Sequence, residues 1–296
     1  MAPMTTPAGL RITDAHIHMQ PWESFRPATL DRMRRGRPDF DQILEMSRDP
    51  SALLRYLDSV GVERAALVNY AAPEVMGFGA ETNGFVARYV KADPSRLIAV
   101  GSVNPRHAAD PAQEVESLAE AGIRALKLHP PHMLVRADAH LDDTAEGAAL
   151  AHVYAAASRA RLPVIIHTGT SIFPGARARL GDPMAIDDVA VDFPDLSIVM
   201  AHGGRPLWMP ACFFLMRRHP NLWMDLSGIP PRSLPEYFPR LVEVADRVLF
   251  GTDWPSPGVR DIGANIAAFL DLPDAYLPEA AKHAILQDNA LRLFPA

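Results

Sequence analysis

Eight short apolar runs recur along the chain, each followed by a longer segment with helical spacing. They are LRITDAHIH (10–18), RAALVNY (64–70), LIAVGSVN (97–104) and IRALKLHP (123–130), then LPVIIHTG (162–169), LSIVMAHGG (196–204), NLWMDLSG (221–228) and RVLFGTDWP (247–255). A helix between two strands carries the chain back to where the first strand began. The next strand then pairs parallel, through a right-handed crossover. Eight such units in 296 residues match a closed α/β barrel, the (β/α)8 or TIM barrel, in both count and length. An open doubly wound sheet is the alternative, but no G-x-G-x-x-G follows the first strand to support it.

The intervening segments carry helix signals. PSALLRYLDSVG (50–61) ends at Gly61, a C-cap. DPAQEVESLAEAG (110–122) opens with Asp110 as N-cap and Pro111 at the first helical position. EGAALAHVYAAASRARL (146–162) is a third amphipathic pattern. No linker or abrupt change of composition divides the chain, so residues 1–296 read as a single domain. Two long connections, 19–50 after the first strand and 170–184 after the fifth, leave the C-terminal ends of strands. A barrel builds its site there, and both connections are expected to cover it.

Composition removes several function classes. The net charge of −6 has its signs mixed along the chain, without the basic stripe that nucleic acid requires. The densest basic run, RMRRGRP (32–38), is flanked by Asp31, Asp39 and Asp41 and reads as a solvated loop. No apolar stretch approaches the ~20 residues that span a bilayer. MAPMTTPAGL lacks the features of a signal peptide. The single cysteine, Cys212, fits a reducing compartment, so the chain reads as a cytoplasmic protein.

In a strand, residues i and i+2 point to the same side. His16 and His18 in TDAHIHMQPW therefore project together. By itself this pair leaves two satisfied core histidines and two metal ligands both open. The other strand ends add His167 (IIHTG), His202 (VMAHGG) and Asp253 (LFGTDWP), with Lys127 and His129 on the fourth strand. In the barrel these side chains converge at one end, forming a set suited to Zn2+, Mn2+ or Fe2+. Histidines placed by chance scatter over helices and loops, as His107, His152, His219 and His283 do.

The motifs DAHIH, KLHP, IHTG, AHGG and GTDWP, with NALRLF at 289–294, resemble the amidohydrolase superfamily over residues 12–294. Within it the closest resemblance is to the amidohydrolase-2 group of metal-dependent barrel hydrolases, lactonases and decarboxylases. The resemblance implies that His16, His18, His167 and Asp253 bind a divalent metal, most often zinc. It implies that His202 polarises or protonates the substrate, or ligates a second metal. A metal with an open position lowers the pKa of its water to ~7. Asp253 would hold the metal with one oxygen and take the water's proton with the other. His202 would hydrogen-bond the carbonyl oxygen as charge builds on it. In binuclear relatives the strand-4 lysine is carbamylated and bridges two metals. In many relatives of the group one metal suffices, and the reading adopted has one metal with Lys127 and His129 facing the substrate. The resemblance also implies a homo-oligomer.

Other residues carry two readings each. Asp14 shares the parity of His16 and either orients a ligand or turns toward a helix. Trp22 and Trp254 either wall the pocket or pack as core aromatics. Arg177, Arg179 and Arg205 follow strands 5 and 6, and one of them would hold a substrate carboxylate unless all three form surface salt bridges. Asp225 either hydrogen-bonds substrate or closes a barrel layer. Cys212 reads as a structural helix residue.

The leading function is metal-dependent hydrolysis of an amide, ester or lactone carbonyl in a small molecule. The alternative is nonoxidative decarboxylation of a small aromatic or unsaturated carboxylic acid. A non-catalytic ligand-binding barrel is the third reading, and the complete ligand set weighs against it.

Overall fold

The structure is a computed structural model and describes residues 9–35 and 37–295. Residues 1–8, part of the stretch read above as lacking a signal peptide, lie outside the described residues, as do Gly36 and Ala296. The eight apolar runs become eight parallel strands: β1 Ile12–Ile17, β2 Val62–Val68, β3 Leu97–Gly101, β4 Ala125–Leu128, β5 Val164–His167, β6 Ile198–Ala201, β7 Leu222–Asp225 and β8 Val248–Leu249. They pair in chain order. Ala15 donates its backbone N–H to Phe250 at 2.9 Å, and His18 donates to Trp254 at 2.7 Å. These bonds return the last strand to the first and close the (β/α)8 barrel. Most strands are shorter than the sequence runs, because the last residues of those runs leave the ladder and build the site instead.

The helix signals hold at the residues that carry them. Asp110 accepts a bond from Gln113 N at the start of helix Pro111–Glu120. Gly61, just beyond helix Pro50–Ser59, takes φ +75°, a conformation that favours glycine. Buried apolar side chains divide into two clusters. The larger lies between the strands and the helices around them. The smaller is built mainly from strand residues such as Ala66, Val68, Ile98, Val100, Ile165 and Val199, and fills the barrel interior. Leu293 and Phe294 of the NALRLF motif join this inner cluster. Asn289 anchors them by donating to the carbonyls of Ala245 and Val248, each at 2.7 Å.

Two expectations need correction. The connection 19–50 is not a loop over the site: it forms helices Pro27–Arg34 and Phe40–Arg48, and none of its described residues lines the catalytic cavity. The basic run is not wholly solvated either. Arg37 is buried, pairs with Asp39 at 2.7 Å, and donates to the carbonyls of Pro255, Val259 and Arg260. A guanidinium has enough donors to satisfy several carbonyls at once, so the segment braces the loop after β8.

Candidate metal centre

His16 sits where the pairing of β1 with β2 slips between Asp14 and Ile17, the kind of irregularity that re-aims side chains beside a site, and His18 directly follows the end of β1. Nδ1 of His18 lies 2.9 Å from the Val68 carbonyl. A carbonyl only accepts, so this nitrogen carries the hydrogen and Nε2 is left as a lone pair. That lone pair meets Oδ1 of Asp253 at 3.0 Å. Nδ1 of His16 donates to Oδ2 of Asp225 at 2.8 Å, which leaves Nε2 of His16 3.9 Å from the same Asp253 oxygen.

Two imidazole lone pairs and a carboxylate oxygen thus converge, with one ligand atom from each residue within 4.8 Å of the others. Three acceptors facing one another repel unless a cation lies among them, and a divalent metal fits this donor set. His167 lines the same cavity, and both of its ring nitrogens are buried without a hydrogen-bond partner among the described residues. It stands outside the tight cluster, with its ring stacked 3.8 Å from His129.

Burial sets the charge states. It lowers His16 to about 4, with the Lys127 charge adding to the effect. It also drives His129, His167 and His202 well below the usual histidine range. These rings are neutral near pH 7, the form that ligates metal. Burial pushes Asp253 upward, but its polar neighbours, the Arg205 guanidinium among them, outweigh it and hold the carboxyl below its ordinary range. Burial lowers Lys127 to about 8. Its Nζ stands 3.5 Å from Nε2 of His16.

His202 and Asp253 both adopt positive φ, +69° and +67°. Non-glycine residues rarely hold this conformation, and it concentrates where a site over-determines the backbone. Nδ1 of His202 lies 3.1 Å from the Ser227 carbonyl and 2.8 Å from the Ser227 hydroxyl. The carbonyl claims the Nδ1 hydrogen, so neutral His202 offers Nε2 as an acceptor. It must first gain a proton before it can donate to a carbonyl oxygen. Asp225 accepts from His16, from the backbone N–H groups of His202 and Ser227 at 3.1 and 3.0 Å, and from the Ser227 hydroxyl. It positions the site from behind.

A cavity of about 140 Å³ opens over these groups. Lys127, His129, His167, His202, Arg205 and Asp253 line it, as do Thr170, Ser171, Ile172 and Phe173 of the connection after β5. Arg205 donates to Oδ2 of Asp253 at 2.9 Å. Trp22 and Trp254 are absent from the lining. Trp22 packs on Phe25 with ring centroids 5.0 Å apart, and Trp254 packs on Tyr56 at the same separation, because their large apolar faces are better buried than wetted. Asp14 accepts from Thr252 N and Oγ1 and from His16 N, so it clamps β1 to the end of β8 beneath the site. Arg177 and Arg179 border a separate cavity with Arg106 and Arg136. Cys212 is buried in helix Met209–Arg218, and burial pushes its thiol up to about 12.

Tyr70, His132 and Ser171 also line the cavity and were not singled out from the sequence. His132 bonds Tyr70 at 3.1 Å and Ser171 at 2.7 Å, and its ring stacks 3.5 Å from His129. The signal lay in HPPH, where two prolines start the short helix Pro130–Met133 and bring residues i and i+3 together.

The amidohydrolase family profile matches residues 13–296. The chain belongs to the amidohydrolase family. A 2-pyrone-4,6-dicarboxylate hydrolase of Comamonas testosteroni is 31% identical to this amidohydrolase over 155 residues, covering 40% of this chain and 51% of that protein. The match thus spans about half the length of that curated relative. An uncharacterised TIM-barrel protein of Bordetella bronchiseptica superposes with a TM-score of 0.74 at 26% identity, covering 96% of this chain and 98% of the other. A 5-carboxyvanillate decarboxylase of Novosphingobium aromaticivorans, solved with manganese and a nitrobenzoic acid, shares the fold at a TM-score of 0.66 and 15% identity, covering 100% of this chain and 99% of the other. The family is metal-dependent, and His16, His18 and Asp253 form a candidate metal site in this member.

Proposed function

We propose that this amidohydrolase hydrolyses an ester, lactone or amide carbonyl of a small carboxylated molecule, using one divalent metal. The observation that carries this reading is the convergence of the His16 and His18 lone pairs on the Asp253 carboxylate, which Arg205 holds from its other oxygen. His16, His18, His167 and Asp253 are the proposed ligands. Zinc suits three imidazoles and a carboxylate. Manganese is the second choice, since it occupies the decarboxylase of the same fold.

A divalent ion here supplies Lewis acidity and a water of lowered pKa. Asp253 accepts the proton from the attacking water. Nε2 of His202 receives that proton and delivers it to the departing oxygen or nitrogen as the bond to the carbonyl carbon breaks. The Lys127 ammonium lies close enough to steady the negative charge that develops on the carbonyl oxygen. His129 packs beside the substrate, and Arg205 binds its carboxylate.

The 2-pyrone-4,6-dicarboxylate hydrolase relative supports the hydrolytic reading. Decarboxylation of a small aromatic or unsaturated acid is the second reading, favoured by the shared fold of 5-carboxyvanillate decarboxylase. Incubating metal-loaded protein with lactones, esters and hydroxybenzoates separates them. The hydrolase reading expects ring opening or ester cleavage without gas release. Carbon dioxide from a hydroxybenzoate, with lactones and esters untouched, would overturn it.

The same proposal places the protein in the cytoplasm as a homo-oligomer. Its one thiol is buried, and Leu207 and Phe214 are exposed large apolar residues on one stretch of chain. Among the described residues no helix is long and apolar enough to cross a membrane. Sedimentation would test the oligomer.

A further inference from the structure

Arg205 and Asp253 line two cavities. On one side is the catalytic cavity of about 140 Å³, and on the other is a second of about 380 Å³. Pro257 borders both. The catalytic cavity is smaller than the ~300–1,000 Å³ typical of small-molecule sites, and most of its lining is polar. The second is faced chiefly by Ile229, Pro231, Pro257, Val259, Ala264 and Ala268. Beyond the shared ion pair, its only polar side chains among the described residues are Arg232 and Asn265. Ala264 and Ala268 stand four residues apart on helix Ile262–Leu270, so they share a face and leave space where larger side chains would fill it.

The partition between the cavities is the Arg205 guanidinium. One of its terminal nitrogens bonds Asp253, while Nε is buried without a partner among the described residues. The group lies against Gly228, where a Cβ would stand 2.6 Å from Cζ, Nε and a terminal nitrogen. A guanidinium held through one terminal nitrogen can offer its other terminal nitrogen to a second acceptor.

We propose that the second cavity is a substrate subsite for an apolar substituent, with Arg205 holding the carboxylate of the same molecule at the boundary. The substrate class is then a carboxylic acid with a compact polar head and a short alkyl or aryl arm. Adjacency points to the occupant: three residues line both spaces, and one of these is the proposed carboxylate clamp. The proposal rests on the hydrolase reading for the chemistry at the head, but its binding test stands apart from turnover.

The test is calorimetric titration of the metal-loaded protein with acetate, butanoate and 4-phenylbutanoate. Burial of the arm predicts that 4-phenylbutanoate binds at least about tenfold more tightly than acetate, with butanoate between. Ala268→Phe fills the subsite and should erase that gain while leaving acetate binding unchanged. Ala264→Phe fills it from an exposed position and serves if the first variant folds poorly. Equal affinity across the acids, or a gain that survives in the folded variants, overturns the proposal. Failure to turn over any lactone, ester or amide would remove the hydrolase reading and leave this series readable.

Discussion

Asp225, the last residue of β7, accepts a 2.8 Å hydrogen bond from Nδ1 of His16 on β1. The bond fixes the tautomer and turns Nε2 of His16 toward Asp253. Carboxylates behind ligating histidines orient the ring and raise its basicity. Asp225→Asn keeps an acceptor oxygen but removes the charge. Metal affinity is expected to fall about 10–100-fold, measured by competition with a chelator of known affinity. Unchanged affinity would show that Asp225 serves only the barrel layer.

Joint replacement of His16 and His18 by alanine should reduce bound metal to less than about a tenth of an equivalent and abolish turnover. The circular dichroism spectrum should persist, because the inner and outer apolar clusters are untouched. Elemental analysis and spectroscopy on the same sample decide the point. Loss of the folded spectrum would make the pair a structural requirement instead.

Gly228→Ala should disturb Arg205 before it disturbs the fold. At φ +67° any side chain is strained, an effect of about 1 kcal/mol, visible as a lowered Tm. The added carbon also meets the guanidinium and displaces it from Asp253. A raised KM for carboxylated substrates with a smaller change in kcat would report lost binding. Wild-type KM and Tm together would refute the contact.

Cys212 supplies a pH prediction. Burial raises its thiol from 9.0 to about 12, so the folded chain keeps its proton where the unfolded chain loses it. A pKa raised on folding gives stability that is complete below about pH 9 and declines as pH rises toward 12. Denaturant titrations of wild type and Cys212→Ala should show the wild type losing stability relative to the variant across that window. Iodoacetamide at pH 8 should label the unfolded chain and spare the native one. Rapid native labelling would contradict the burial.

The barrel was legible in the sequence because its signal is local. Each of the eight runs carries the period and composition of a buried strand, and Asp110, Pro111 and Gly61 mark helix ends by their own backbone chemistry. The convergence of His16, His18, His202 and Asp253 followed once those runs were placed in a ring, since a parallel barrel gathers all strand ends on one face. The placement of segment 19–50 is not legible in the sequence, because contacts with residues far along the chain hold it. Arg37 is buried only because the carbonyls of Pro255, Val259 and Arg260 are there to receive it.

What the chain determines by itself is therefore its strand–helix alternation and the identity of the groups at the strand ends. Tertiary structure decides how those groups behave. It selects the tautomers of His16, His18 and His202 through Asp225, Val68 and Ser227, buries Trp22 and Trp254 away from the cavity, and sets Arg205 between two chambers. Those outcomes depend on hydrogen-bond partners and neighbouring surfaces far away in sequence. Residue type and spacing carry no record of which acceptor a ring nitrogen will meet.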